Sequence, residues 1–290
     1  MKRVQGIQGF TLIEMIVAMV ITGIIAAMIS VFMVAPIKGY QDTVRRAGLS
    51  DAADTALKRM ALEIRTALPN SVRVSGNQYI EFIPTTGGGR YRVDGPGNVL
   101  DFTFAGIGGG NFDVLGPGVS VSAGDHLVIF NTLQTRLDAY DFDASSGAAA
   151  TPTNGNRREI DVAASSSNRI YFLGGAFPFE SPSQRFHIVP ASSGPVTFGC
   201  TATGELRRYT GYATGAADWN PGAASQPAPP APATPPASRN ALLASGSTCF
   251  FDYQAVSIEN GLVTLRLTLT DGPSGESVTL HQQLHVDNSP

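Results

Sequence analysis

The sequence predicts an α+β protein, a long N-terminal helix followed by an antiparallel β-rich domain, on three observations. Residues 15–35, MIVAMVITGIIAAMISVFMVA, carry no charge. Ala53, Leu57, Met60, Ile64 and Leu68 recur at helical spacing among charged residues. After residue 70, short runs alternate apolar with polar residues and are bounded by Gly, Pro, Asn and Ser. One amphipathic helix against such sheets is an α+β arrangement, because parallel crossovers need more helices than the chain offers.

The first element is the segment 1–9, MKRVQGIQG, in which Lys2 and Arg3 precede the apolar run and place this end on the cytoplasmic side of a membrane. The second is the hydrophobic helix 10–35. Its uncharged stretch spans roughly 31 Å at about 1.5 Å per residue, which matches one bilayer crossing. A cleaved secretory signal is the competing reading, but its apolar region normally holds about 7 to 15 residues and ends in a small-residue site. Here Ala26-Ala27 lies in mid-run. Glu14 is the discordant residue, since a carboxylate inside an inserted helix costs on the order of 3 kcal/mol and needs a partner. No Lys or Arg follows it before Lys38. The partner is therefore Lys2, Arg3, a headgroup, a chain terminus or another molecule.

The stretch GFTLIE at 9–14, behind a short basic leader and ahead of a long apolar helix, resembles the prepilin signature of type IV pilins and type II secretion pseudopilins. The resemblance implies that a prepilin peptidase of the bacterial inner membrane cuts between Gly9 and Phe10 and N-methylates Phe10. It also implies that Glu14 pairs with the N-terminal amine of a neighbouring subunit as the helices pack into a filament. An unpaired buried carboxylate is unfavourable, and docking beside an amine relieves it. Gly23 falls where filament helices of this family often loosen, whereas the proline common in that region is absent and Pro36 stands further on.

The amphipathic stalk helix is expected over 36–68. Pro36 can kink it, Ser50-Asp51 near Gly48 offers a fresh start, and Pro69-Asn70 stops it. The stripe Ala53 to Leu68 reads as core, with Lys58, Arg59, Glu63 and Arg65 on the other faces. Strands are expected in 78–84, 90–95, 99–106, 126–132, 169–175 and 262–270 of the β-rich domain, 69–290. The glycine triplets at 87–89 and 108–110 read as turns, since no helix and no GK[ST] follows to make a phosphate cradle.

Cys200 and Cys249 are the two cysteines of the chain. On the predicted extracytoplasmic side oxidation is permitted, so one disulfide is expected, two free thiols being the alternative. Between them, residues 221–238 (PGAASQPAPPAPATPPAS) are proline-rich and are expected to form an extended tether, with Ser225, Thr234 and Ser238 open to modification if the loop is a recognition surface. His281 and His285 in HQQLH lack the glutamate of a zinc-protease motif, and Asp141 and Asp143 lack EF-hand spacing, so no metal and no cofactor is expected. No nucleophile with a paired base and no carboxylate dyad points to an enzyme. With a formal net charge of −3 and 15% charged residues, the chain has no basic stripe for phosphates, and nucleic acid is not an expected partner. Removal of Lys2 and Arg3 with the leader leaves 18 basic and 23 acidic residues.

Two further stretches, ADTALKRMALEIRTALPNSVRV (53–74) and LHQQLHVDNSP (280–290), resemble minor pilins of the mannose-sensitive haemagglutinin (MSHA) pilus, of the MshO type. They also resemble the J-type minor pseudopilins. The resemblance implies a minor pilin held in the inner membrane lipid, then incorporated into a pilus at or near its tip, where it primes assembly or presents the β domain. Its partners would be prepilin peptidase, major and minor pilin subunits and the inner-membrane assembly platform. The other readings are a type II secretion pseudopilin and a ligand-binding adhesin or DNA-uptake subunit.

Overall fold

The computed structural model describes residues 9–103, 109–132, 139–141, 156–191, 194–210, 240–257 and 259–289. The expected leader, the proline-rich loop 221–238 and Asp143 fall outside these, apart from Gly9 of the leader. The chain divides into two units, Met1–Leu49 and Ser50–Pro290.

One helix, α1, runs over Leu12–Ile64 and takes Pro36 inside it. The expected fresh start at Ser50 is absent. A proline removes one donor and a glycine costs about 1 kcal/mol, neither enough to end a helix whose neighbours favour it. The expected stop at Pro69-Asn70 is also corrected, because α1 ends at Ile64. Its last turn tightens, with Thr66 N bonding Glu63 O at 3.0 Å and Ala67 N bonding Ile64 O at 3.0 Å. The next residues are then captured by extended chain: Leu68 N donates to Ile83 O at 2.8 Å, and Ala67 bridges Pro84.

In the first unit, the side chains of the apolar segment are exposed along its length, from Leu12 through Met19 and Ile25 to Met33. Thr22 returns its hydroxyl to Ala18 O at 2.7 Å, so the polar group inside the run is satisfied by its own helix. In the second unit, Ala53, Leu57, Met60, Ile64 and Leu68 are all at most 3% exposed, so the stripe is core. Met60→Ala is expected to destabilise this unit by about 2–5 kcal/mol, the cost of a buried cavity. A loss below about 1 kcal/mol in denaturant melts would mean that the site collapses around the deletion.

The strands are β1 (Arg73–Ser75), β2 (Tyr79–Phe82), β3 (Gly87–Tyr91), β4 (Gly110–Leu115), β5 (His126–Val128), β6 (Arg157–Glu159), β7 (Arg169–Phe172), β8 (Arg185–Val189), β9 (Val196–Cys200), β10 (Glu205–Thr210), β11 (Asn240–Ser245), β12 (Ser247–Ala255), β13 (Asn260–Thr270) and β14 (Ser277–Asp287). They form a five-stranded sheet β1-β2-β9-β10-β11, a three-stranded sheet β12-β13-β14 and a six-stranded sheet β6-β5-β8-β3-β4-β7. Every recorded pairing is antiparallel. The fold is α+β.

Several strand expectations change. The triplet Gly87–Gly89 is strand, paired with Ile188, His187 and Phe186. A Cβ on Gly88 would stand 2.7 Å from Phe186 O, and one on Gly89 3.1 Å from the Phe186 ring, so glycine here permits close approach of two strands. Residues 99–103 are not a strand: Asp101 Oδ1 accepts from Thr103 N and Oγ1, both at 2.7 Å, and bends the chain while Leu100 still enters the core. The run from His126 ends as strand at Val128, and Phe130 takes a left-handed φ of 55°.

The six-stranded sheet encloses Tyr91, Phe112, Leu127, Ile170, Phe186 and Ile188. Phe112 meets Phe186 edge-on at 5.2 Å between centroids, a favoured aromatic geometry. On the three-stranded sheet, Val263, Leu265, Leu267 and Leu269 of β13 alternate with exposed or half-buried residues, so one face is apolar and buried. Cys200 of β9 and Cys249 of β12 are joined in a disulfide that ties the three-stranded to the five-stranded sheet. Breaking it is expected to cost up to about 4 kcal/mol in the chain-entropy account. Alkylation without reductant should leave the protein mass unchanged, and two modified thiols in the folded protein would remove the bridge from the structure.

Specific polar pairs join α1 to β10 and β1 to β2. Arg208 Nε donates to Glu63 Oε2 at 2.7 Å, linking α1 to β10. Arg73 and Glu81 face each other in register across β1 and β2 and form a buried ion pair. The Arg73 guanidinium also lies 3.4 Å from the Tyr140 ring centroid, and Tyr140 Oη donates to Ser71 O at 2.8 Å.

Candidate functional site

The stretch Gly9–Glu14 builds the head of α1. Leu12 is the first helical residue, which makes Thr11 the N-cap and Glu14 the third helical residue. Four amide donors at such a helix start lack intrahelical partners. Thr11 and Glu14 answer this reciprocally: Glu14 N donates to Thr11 Oγ1 at 3.4 Å, while Thr11 N and Thr11 Oγ1 both donate to Glu14 Oε2 at 3.4 Å. This is a capping box, T-x-x-E. The carboxylate also sits at the positive end of the helix dipole.

Glu14 thus has a partner inside its own chain, in addition to any cation. The T-x-x-E spacing at Thr11–Glu14 is the signal that would have found it. The cap engages one carboxylate oxygen, Oε2. Among the described residues, Oε1 accepts no hydrogen bond.

Phe10 precedes the cap and is 81% exposed. Gly9 has no atom within 4 Å of where a Cβ would stand and no left-handed φ, so among the described residues nothing calls for glycine there. Behind the cap, α1 contains an apolar window of mean hydropathy 2.6 that is wholly unburied within the chain. By length and composition it can cross a bilayer once. Such a surface is stable in lipid or against other apolar helices.

Residues 5–30 match the family described as the prokaryotic N-terminal methylation motif. No curated protein and no solved structure matches the chain. The motif, sitting on this capped apolar helix, supports a type IV prepilin-like protein, of a class that is structural and not enzymatic. It implies processing by prepilin peptidase and assembly with other pilins, and with the apolar helix it fits a membrane-anchored pilin.

The β domain holds a second, polar feature. A recess of about 610 Å³ is lined by residues that include Arg92, Asp113, Ser166, Asn168, Arg169 and Tyr171. Asp113 is its hub: Oδ1 accepts from Arg169 Nε at 2.7 Å, Oδ2 accepts from Asn98 N at 3.0 Å, and Arg92 Nε stands 3.7 Å away. The Arg169 hydrogen bond, followed by that from Asn98, holds the Asp113 carboxyl below the usual carboxylate range. Among the described residues no group of three or more His, Cys, Asp and Glu side chains is arranged to hold a metal ion. His281 and His285 both stand exposed on β14.

Two other histidines are packed into the domain. His126 Nδ1 is 3.3 Å from Arg157 Nη2, and burial, then the Arg157 charge, push its pKa down to about 3. Burial, then the Arg185 charge, push His187 down to about 4. In the unfolded chain both imidazoles take up protons near pH 6.5, while the folded protein refuses them until the pH reaches about 4 and about 3. Their stabilising effect is therefore full above pH 6.5 and lost as pH falls through this window. Thermal melts of the protein are expected to fall steadily between pH 6.5 and 4, and His187→Gln should flatten part of that slope. An unchanged slope in the variant would assign the acid loss elsewhere.

Proposed function

We propose that the chain is a minor type IV pilin of MSHA type, cut between Gly9 and Phe10, N-methylated at Phe10, and assembled into a pilus at or near its tip. The observation that carries the pilin part of this reading is the methylation motif set on a capped apolar helix whose surface is unburied within the chain; the MSHA type and the tip position rest on the likeness of residues 53–74 and 280–290. After cleavage the new α-amine lies beside the Thr11–Glu14 cap. In a filament, Glu14 Oε1 is free to accept from the amine of a neighbouring subunit while Oε2 keeps the cap. Helix packing provides the apolar contact, and the charge pair selects the register, because a mis-registered helix would bury Glu14 without its cation.

The boundaries of this reading are a leader 1–9, an assembly helix 10–35, a stalk through to the body, and a β domain outside the cytoplasm closed by the Cys200–Cys249 bridge. The testing measurement is the intact mass and N-terminal residue of the protein purified from its native membrane. An N-methylated Phe10 supports the proposal, and an intact Met1 in the membrane-resident protein refutes processing. Neighbouring genes distinguish a pilus from a type II secretion pseudopilus: MSHA-like pilins and a pilus ATPase on one side, a secretin-led export operon on the other.

The polar recess around Asp113 favours a second reading, a β domain that binds a ligand rich in hydroxyl or carboxylate groups, such as a glycan. Salt-dependent binding of the protein to a glycan panel, lost in Arg92→Ala, would support it. Equal binding by that variant would remove the recess from consideration.

A further inference from the structure

We infer that β14 is a docking edge for β14 of a second copy of this chain, the two strands pairing antiparallel about a two-fold axis at Gln282.

The ladder with β13 determines which backbone groups remain. Asp271 N bonds Glu276 O at 2.8 Å and Asn288 N bonds Glu259 O at 2.9 Å, at the two ends of the register that pairs β13 with β14. Hydrogen-bonded and non-hydrogen-bonded pairs alternate along an antiparallel ladder. The even residues of β14 therefore spend their N–H and C=O groups on β13, and Ser277, Thr279, His281, Gln283, His285 and Asp287 direct theirs outward. Among the described residues, nothing pairs with that outer edge. The opposite edge of the same sheet is tied down: Phe251 N bonds Asn77 O at 2.7 Å and Ser247 N bonds Gly204 O at 2.7 Å.

An open edge of 11 residues invites another strand, and proteins usually blunt such edges with Lys, Pro or a bulge. β14, SVTLHQQLHVD, has none of these, and the β13–β14 register runs without a shift. At its end, Arg185 holds the Asp287 side chain at 2.9 Å, which leaves the main chain of the edge open.

The sequence of the strand is complementary to its own reverse. With Gln282 on the axis, Val278 faces Val286 and Leu280 faces Leu284 on one side of the sheet, while Thr279 faces His285 and His281 faces Gln283 on the other. Ser277 faces Asp287, so no like charges meet. In this register the outward-facing odd residues pair with odd residues, which is what hydrogen bonding requires. The even pairs become the non-hydrogen-bonded ones, where side chains are closest. Leu284 and Val286 are buried already, whereas Val278 and Leu280 are half-buried, and the facing Val286 and Leu284 of the second copy would cover them. The contact is isologous and merges two three-stranded sheets into one of six strands.

The test uses full-length protein in detergent carrying Gln282→Cys, the native cysteines being bonded to each other. At a non-hydrogen-bonded pair the Cα atoms lie about 4.5 Å apart, within the range a disulfide spans. Mild oxidation is expected to double the mass of this variant, while Gln254→Cys, exposed on β12 of the same sheet, stays monomeric. Adding Thr279→Pro to Gln282→Cys removes an outward N–H that β13 does not use, and should abolish the link with the melting temperature retained; Thr279→Lys offers the same readout should the proline perturb the fold. Linking of Gln282→Cys no faster than Gln254→Cys overturns the proposal. So does linking to a different protein in cells, or a link that survives both Thr279 substitutions.

Discussion

Glu14→Ala is expected to yield a protein that is cut and inserted normally yet is missing from the assembled fibre. In the proposed reading cleavage occurs between Gly9 and Phe10, away from Glu14, and insertion depends on the apolar segment, which gains hydrophobicity when the carboxylate is lost. Assembly is different, because the substitution removes both the cap on Thr11 and the acceptor for a neighbouring amine. Glu14→Gln separates the two roles. Glutamine retains the capping box, which is worth about 1 kcal/mol, but carries no charge. If the charge pair directs register, Gln fails as Ala does; if capping alone matters, Gln assembles like the native chain. Quantitative blotting of membrane and sheared-filament fractions reads both outcomes. Native incorporation of Glu14→Ala would end the pairing proposal while leaving N-terminal processing untouched.

The largest stability loss in the β domain is expected from Glu81→Leu. Glu81 is fully buried and bonded to Arg73, whose guanidinium stacks on Tyr140. Taking the carboxylate away leaves a buried cation without it, which typically costs about 3–5 kcal/mol. For a domain of this size that is a fall in melting temperature of about 6–20 °C, at about 2–4 °C per kcal/mol. The pair is not itself a large net source of stability, since its desolvation is costly. The double variant Arg73→Met with Glu81→Leu is therefore expected to recover most of the loss. Equal damage in the single and double variants would show that packing around these side chains, and not the charge pair, is what the domain needs.

The stripe from Ala53 to Leu68 and the motif from Gly9 to Glu14 were legible because each lies within a short window whose period or spacing carries its meaning. The strand at β13 was legible for the same reason, with Leu and Val at every second position over one long run. β8 escaped notice because it is short and is held by β3 and β5, far away in the chain. The Arg73–Glu81 pair was invisible as well, since two charges eight residues apart become neighbours only when a hairpin sets their register. Two cysteines admit one bridge, so its partners were legible, whereas the meeting of the two thiols is decided by the placing of β9 beside β12.

What the sequence by itself determined is the N-terminal device: basic residues, then a lone glutamate at the mouth of an uninterrupted apolar helix. Their chemistry acts within a turn or two of chain, so no distant contact can change its sense. What only the tertiary structure decided is the order of the sheets and the meaning of Gly87–Gly89. Those glycines look like a turn until Phe186, nearly a hundred residues away, is laid against them, and there a Cβ has no room. Strand pairing is settled by such non-local surfaces, each complete only when both sides are present.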